Sequence, residues 1–239
     1  MEFPALDAPT LCLLVLVAAV AGIFLRGSAS ADRAAGAGSA GIRKHLPIAA
    51  AVLLAWMLYS GAMAAQGLLL DPTAVPPPMV RIIVPGLLLV AVAAFSPFGT
   101  RMAKHVGYAS LIGFHAFRIP LEGLLWWFQH QGRLPVQMTF AGRNFDILTG
   151  LSAVGVAALA HRGLTGRKTA LAWNLAGSAL LLNIMTVAVL SLPGPLRVFH
   201  NEPANTLVLH FPYVWIPAVF VLAAFFGHLV LFRKIRMGS

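Results

Sequence analysis

Hydrophobic residues occur in seven long runs along the 239-residue chain, separated by short segments rich in glycine, proline and charge. Most runs approach the roughly 20 residues that an α-helix needs to cross the hydrocarbon core of a bilayer. The pattern therefore predicts an all-α fold, a polytopic transmembrane bundle of seven helices. The predicted spans cover residues 9–26, 45–70, 79–99, 104–129, 146–162, 169–192 and 208–232.

The basic residues give an independent prediction of topology. With the N-terminus outside, twelve of the 17 lysines and arginines fall in cytoplasmic segments, four fall in outer segments, and Arg118 lies within a span. Loops that face the cytoplasm carry an excess of lysine and arginine. We therefore expect an outside N-terminus, a cytoplasmic C-terminus, and a single multi-pass domain over residues 1–239 in the cell (inner) membrane.

Composition supports the membrane assignment and excludes other classes of protein. The chain is 59% apolar and 10% charged, whereas soluble domains carry about 25% charged residues. The net charge of +10 does not predict a nucleic-acid partner, because the basic residues flank the apolar runs. One cysteine, Cys12, excludes an internal disulfide and a cysteine metal cluster. Membrane lipid is the expected partner, and the oligomeric state stays open.

The first apolar run also has features of a secretory signal, since the small-residue segment SASA follows it. A signal peptide begins with a positively charged region. Here Glu2 and Asp7 precede the run, and no lysine or arginine does. We therefore expect this run to be retained as the first span.

The predicted fourth span contains an unusual set of polar residues. On a continuous helix Tyr108, His115 and Glu122 are seven apart and drift by only about 20° per step, and Arg118 lies about 60° from His115. A charge at bilayer depth costs at least a few kcal/mol, so such residues face the bundle interior or a wet cavity. The expected stripe, with a kink at Pro120, comprises Arg101, Lys104, Tyr108, His115, Arg118, Glu122 and Gln129.

Two interpretations of this stripe are open from the sequence. Arg118 and Glu122 are four residues apart and are expected to form an ion pair. In the first interpretation that pair is a structural clamp, and His115 bonds to a neighbouring helix. In the second interpretation the three residues form a ligand or reaction site, which is the default hypothesis for ionisable groups inside a membrane.

Other polar side chains are predicted near the outer face of the bundle. His210 and Tyr213 are three residues apart at the start of the seventh span and share a helix face. Asn144 or Asp146 is expected to cap the fifth helix. Interhelical amide bonds explain both Asn183, toward the outside, and Asn174, toward the cytoplasm. The predicted ligand-binding set of an outward-facing pocket is Tyr108, His115, Arg118, Glu122, Arg143, Asn183, His210 and Tyr213.

Eight histidines raise the question of a metal or haem site. The chain has no HExxH or HxxxH motif and no His/Cys cluster, so neither a metal nor a cofactor is predicted. The seventh span has no lysine before Lys234, which argues against a retinal Schiff base. Interfacial snorkelling beside basic residues explains the histidines at cytoplasmic span ends, which are His45, His105, His161 and His228.

Four segments carry a resemblance to known sequences: FRIPLEGLLWW, MTFAGRNFDILTG, WNLAGSALLLNI and FPYVWIP. Together they resemble uncharacterised bacterial multi-pass membrane proteins over roughly residues 114–232. The resemblance implies one membrane domain and transfers no activity.

Three functions follow as hypotheses. The first is binding or transport of a small polar molecule or lipid headgroup in the outward-facing pocket. The second is a membrane-embedded enzyme in which His115 or Glu122 is the general acid or base and Arg118 stabilises an anion. The third is a scaffold or accessory subunit whose polar stripe binds a partner helix.

Overall fold

The computed structural model describes residues 7–36 and 38–238, and over these residues the fold is entirely helical, with no strand. Short 3₁₀ turns cover Phe114–Phe117, Val136–Met138 and Leu207–Leu209, and a π-helical turn covers Ile216–Val221. The helices are α1 (Ala8–Ala34), α2 (Gly38–Ala65), α3 (Val80–Phe95), α4 (Pro97–His105), α5 (Tyr108–Gly113), α6 (Arg118–His130), α7 (Asp146–His161), α8 (Arg167–Val189) and α9 (Leu222–Met237).

Four helical segments are long and apolar enough to cross a membrane. They lie in α1, in α2 from His45 onward, in α8, and in the segment Ile216–Met237 that joins the π turn to α9. The pair α3 and α4 becomes a fifth candidate if the 62° bend between them is accepted within one span. The helix α7 is apolar but has only 16 residues. The described structure thus gives four or five candidate spans, and the topology with seven spans stays a prediction.

The predicted fourth span is not one continuous helix, which corrects the expected stripe. The chain breaks after His105, resumes as α5, narrows to the 3₁₀ turn Phe114–Phe117, and only then enters α6. Pro120 consequently lies in the first turn of α6, where its missing N–H removes no intrahelical bond. A break at residues 114–117 therefore replaces the predicted kink. Tyr108 and Glu122 belong to different helices.

One end of the bundle gathers the basic ends of α4 and α9. The Arg101 Nε atom lies 2.8 Å from the Asp32 carboxylate of α1. Lys234 of α9 donates to the Ala103 carbonyl at 3.1 Å, and Arg233 donates to Thr100 Oγ1 at 2.7 Å. These residues come from segments that the sequence assigns to the cytoplasm, and we call this the basic end.

The opposite end contains a second polar contact. Asp7 caps α1 by accepting from the Thr10 N–H at 3.1 Å, and Arg133 donates to the other carboxylate oxygen of Asp7 at 2.7 Å. Arg133 also donates to the Tyr213 hydroxyl, which lies 2.7 Å from Thr10 Oγ1. The contact joins the start of α1, the loop after α6 and the segment before the π turn.

Candidate functional site

A buried polar cluster forms where α6, α7, α8 and α9 meet. Arg118 Nη1 donates to Asp146 Oδ1 at 2.7 Å, and Arg118 Nη2 lies 3.2 Å from His228 Nε2. The Arg118 side chain is 1% exposed and that of Asp146 is 10% exposed. Residues far apart in sequence thus meet in the interior through one guanidinium.

The hydrogen bonds around His228 determine its tautomer. Arginine can only donate, so His228 Nε2 accepts from Arg118. The remaining nitrogen, Nδ1, then carries the proton and donates to Asn174 Oδ1 at 2.8 Å. The Asn174 amide in turn donates to the His228 carbonyl at 3.2 Å. His228 is therefore held as a neutral imidazole between α6 and α8.

Glu122 is bound by the loop before α7 rather than by Arg118. Asn144 Nδ2 donates to Glu122 Oε1 at 2.6 Å and to the Met138 carbonyl at 3.1 Å. The amide oxygen of Asn144 accepts the Asp146 N–H at 3.1 Å, although the residue at the N-cap of α7 is Phe145. One asparagine therefore joins the loop, Glu122 and the first turn of α7.

The predicted Arg118–Glu122 ion pair is replaced by the pair Arg118–Asp146. The cause is the close approach of α6 and α7 at Gly150. A Cβ atom at Gly150 would lie 2.9 Å from Ile119 and 3.2 Å from the Arg118 Cβ atom. This approach brings Asp146, one turn earlier in α7, beside the Arg118 guanidinium.

His115 is the most enclosed member of the cluster. Its ring is fully buried and lies against the rings of His228, at 4.2 Å between centroids, and Trp173, at 5.3 Å. A Cβ atom added at Gly227 would come within 2.6 Å of His115 Nε2. Neither nitrogen of His115 has a hydrogen-bond partner in the described part of the chain. His115 and Glu122, the predicted acid and base, therefore do not bond to each other.

Several other buried atoms of the cluster also lack a partner within the described residues. They are Arg118 Nε, Glu122 Oε2 and Thr149 Oγ1. A buried polar atom without a partner costs about 1–3 kcal/mol, and each such atom in a native structure needs an explanation. The cluster thus combines satisfied hydrogen bonds, which fix its geometry, with buried polar atoms that have no partner among the described residues.

The remaining predicted ligand-binding residues lie elsewhere. Tyr108 packs beside Lys234, whose Nζ atom lies 5.2 Å from the ring centroid. Asn183 donates to the Arg143 carbonyl at 2.8 Å. Tyr213 is buried in the contact with Arg133 and Thr10. The Arg143 guanidinium packs over Phe199, and His210 is half-buried just before Tyr213. Among the described residues, the structure thus brings together His115, Arg118 and Glu122 and places the other members of the predicted ligand-binding set in separate contacts.

Three residues of the cluster have roles that differ from those that the sequence predicts. His228 was expected to snorkel at the interface, but it is buried and bonded. Asp146 was expected only to cap a helix, and Asn174 only to form an amide bond between helices. The signal available was weak, because each is a lone polar residue in or beside an apolar run.

A separate cavity of about 470 Å³ lies between α2 and the surface formed by α1, α3 and the segment from the π turn into α9. Its walls are mostly apolar, with Arg101 of α4 and His45 among the exceptions, and none of the cluster residues lines it. The structure therefore contains two distinct regions of interest, a dense polar cluster and an open apolar cleft.

Comparison with known proteins gives a family but no activity. The family described as Domain of unknown function (DUF8737) matches residues 77–236, more than half of the chain. No curated protein and no solved structure matches. The match includes every residue of the polar cluster, and α1 and α2 lie outside it. The chain therefore belongs to the DUF8737 family of proteins of unknown function.

Proposed function

We propose that the protein is a seven-span inner-membrane protein, with its N-terminus outside, that binds or transports a small polar species at the buried cluster. The observation that carries this proposal is His115, which is fully buried and has two ring nitrogens without a partner among the described residues. Ionisable groups placed at such depth mark ligand, ion or proton sites by default.

The charge balance favours a positively charged species. Arg118 contributes one positive charge, whereas Asp146 and Glu122 contribute two carboxylates. His228 is neutral in its observed hydrogen bonds, so the cluster with both carboxylates ionised carries a net charge of −1. Because an uncompensated charge in a low-dielectric interior is costly, a proton or a small cation would stabilise the cluster. The groups able to accept the proton or cation are Glu122 Oε2 and a ring nitrogen of His115.

Flux measurements in proteoliposomes test this proposal. Purified protein is reconstituted, and the influx of protons, Na⁺ and methylammonium is followed against empty liposomes. Wild type is expected to accelerate at least one of the three, and Glu122→Gln is expected to abolish the effect because it removes the excess charge. Glu202→Gln is the matched control, since that carboxylate pairs with Arg197 at an exposed loop. Equal flux with wild type, Glu122→Gln and empty liposomes would refute the proposal.

His115→Phe separates a functional role from a structural one. Phenylalanine keeps a ring against Trp173 and His228 but removes the two unpartnered nitrogens, so we expect folding to be retained and flux to be lost. If His115 has only a structural role, His115→Phe should leave flux unchanged. Folding should then also be retained, because an apolar replacement of an unsatisfied buried group is neutral or stabilising. Melting temperature and size-exclusion profile report folding in the same samples.

The topological part of the proposal has its own test. In a Cys12→Ala background, Val75→Cys lies in a predicted outer loop and Leu164→Cys in a predicted cytoplasmic loop, and both side chains are exposed. A membrane-impermeant maleimide is expected to label Val75→Cys in right-side-out vesicles and Leu164→Cys only after the membrane is opened. Labelling of both positions from the same side would overturn the seven-span topology.

A further inference from the structure

The apolar cleft has the size of a ligand site. Its volume of about 470 Å³ falls within the roughly 300–1,000 Å³ of small-molecule pockets. Its walls include Phe24 of α1, Val52 of α2, Leu89 of α3 and Phe226 of α9. Side chains of this kind offer no hydrogen bonds, so an occupant must be apolar along most of its length.

The length of the cleft matches one leaflet of a bilayer. Along α2 it extends from His45 to Trp56, which at 1.5 Å per residue is roughly 16 Å. The hydrocarbon core of a bilayer is about 30 Å thick, so one leaflet contributes about half of it. A single acyl chain that enters from one surface would therefore end near Trp56.

The indole of Trp56 borders the end of the cleft that lies farther from His45 along α2. Trp56 Nε1 donates to the Ala218 carbonyl in the π turn at 2.8 Å. A Cβ atom at Gly86 would lie 2.8 Å from the Trp56 ring and 2.6 Å from Leu222, so glycine allows the three helices to approach there. The lining residues near Trp56 include no ionisable group.

The other end of the cleft carries two basic side chains and lies at the basic end of the bundle. Arg101 and His45 both line it, and both contact the same buried oxygen, Asp32 Oδ1, at 2.8 Å and 3.3 Å. Arg101 contacts Asp32 through its Nε atom, so the N–H groups of its two Nη atoms are not used in this contact. The Arg101 side chain is 24% exposed. Guanidinium groups bind phosphate oxygens through paired donors.

We infer that the cleft holds one acyl chain of an anionic phospholipid from the leaflet at the basic end, with its phosphate bound by the two Nη groups of Arg101. Asp32 orients the side chains of Arg101 and His45. A leaflet rich in anionic lipid attracts basic residues at its surface, which fits the accumulation of lysine and arginine at this end. The site is separate from the polar cluster, and the proposal does not depend on the proposed function.

The headgroup half of the proposal is tested by removing one charge at a time. Full-length protein in mild detergent is titrated with phosphatidylglycerol or phosphatidylcholine, and bound lipid is counted by native mass spectrometry. Arg101→Gln is expected to weaken phosphatidylglycerol binding about tenfold, the loss of one charge-assisted contact. Lys104→Gln, an exposed position on the same helix outside the cleft, is expected to bind as wild type.

The acyl-chain half is tested by filling the cleft. Ala49→Trp places an indole in the cleft, and Ala51→Trp places one on the exposed face of the same helix. We expect Ala49→Trp to lose lipid and Ala51→Trp to retain it. Ala93→Phe fills the cleft from α3 and gives the same test if Ala49→Trp does not fold.

Two results would overturn the proposal. Equal binding of phosphatidylglycerol by wild type, Ala49→Trp and Ala93→Phe would place the lipid outside the cleft. Loss of lipid in the cleft variants together with unchanged binding in Arg101→Gln, or equal affinity for both lipids, would remove the anionic headgroup from the assignment.

Discussion

Two arginine–aspartate pairs in this molecule have nearly the same bond length and very different surroundings. Arg118 and Asp146 are 2.7 Å apart in a cluster enclosed by packed helices, and Arg101 and Asp32 are 2.8 Å apart at the mouth of an open cleft. The Arg118 side chain is 1% exposed and the Arg101 side chain is 24% exposed, whereas the carboxylate side chains of both pairs are largely buried. The exposure of the arginine side chain, rather than the bond geometry of the pair, therefore decides which arginine is accessible to a large ligand.

The largest difference between the pairs should appear when arginine is removed. Arg118→Leu is expected to destabilise the protein by about 3–5 kcal/mol, because it leaves a buried carboxylate unpaired. Arg101→Leu should cost less, because the Arg101 side chain is itself partly exposed and His45 remains 3.3 Å from the Asp32 carboxylate, although that carboxylate is also buried. Unfolding by denaturing detergent, followed by circular dichroism, measures both.

A double substitution identifies the source of the larger loss. Arg118→Leu combined with Asp146→Leu should recover much of the stability, since an apolar pair leaves no unpaired charge in the interior. A double variant as unstable as Arg118→Leu alone would contradict the explanation by unpaired charge.

Packing density gives a second and smaller contrast. Gly227→Ala places a Cβ atom 2.6 Å from His115 Nε2, inside a cluster with no space for the ring to move, and is expected to cost about 1–3 kcal/mol. Gly86→Ala meets Leu222 and Trp56 at 2.6 and 2.8 Å, but both side chains border the cleft and can shift into it. Its cost should therefore be lower.

The control for these glycine substitutions is Gly123→Ala in α6. A Cβ atom there meets nothing within 4 Å, so alanine should stabilise the helix by up to about 1 kcal/mol. Melting temperatures of the three variants are expected in the order Gly123→Ala, Gly86→Ala, Gly227→Ala. An equal loss for Gly86→Ala and Gly227→Ala would mean that the cleft is as rigid as the cluster.

A third pair, Asp7 with Arg133, gives the smallest effect and adds a pH dependence. Partial burial raises the pKa of Asp7, but hydrogen bonds from Thr10 and the charge of Arg133 outweigh it, so the pKa lies below its ordinary value. A lowered carboxylate pKa contributes stability above the ordinary pKa of about 3.9, and that stability is lost as the pH falls below it.

Asp7→Asn isolates this contribution. Asparagine still caps a helix but cannot form the ion pair with Arg133. The difference in melting temperature between wild type and Asp7→Asn should therefore be present at pH 7 and should disappear near pH 3. A constant difference at both pH values would show that the ion pair contributes nothing.

The long apolar helices could be predicted from the sequence because their signal is local. The runs around 9–26, 45–70, 169–192 and 208–232 each contain one of the four spanning helices. The break at Phe114–Phe117 could not be predicted from hydropathy, since the surrounding residues are as apolar as those of a regular span. Gly113 and Pro120 on either side were the available signs of a break.

The partners of Arg118 could not be predicted for a different reason. Asp146 is 28 residues away and His228 is 110 residues away, and helical periodicity carries no information about such contacts. The sequence predicts Glu122 as the ion-pair partner of Arg118, because Glu122 lies four residues further along the same predicted helix. The π turn at Ile216–Val221 adds a further obstacle, because it shifts the register of every later residue in α9 relative to a regular helix.

The tautomer of His228 has a consequence for how the cluster can respond to acid. Its Nε2 lone pair is already engaged by Arg118 and its Nδ1 proton by Asn174, so a proton can join this ring only after the guanidinium withdraws. The His115 ring, whose centroid lies 4.2 Å from that of His228, forms no such hydrogen bonds with the described residues. The two imidazoles are thus chemically unequal: His228 links two helices through both nitrogens, and His115 has neither nitrogen bonded within the described part of the chain.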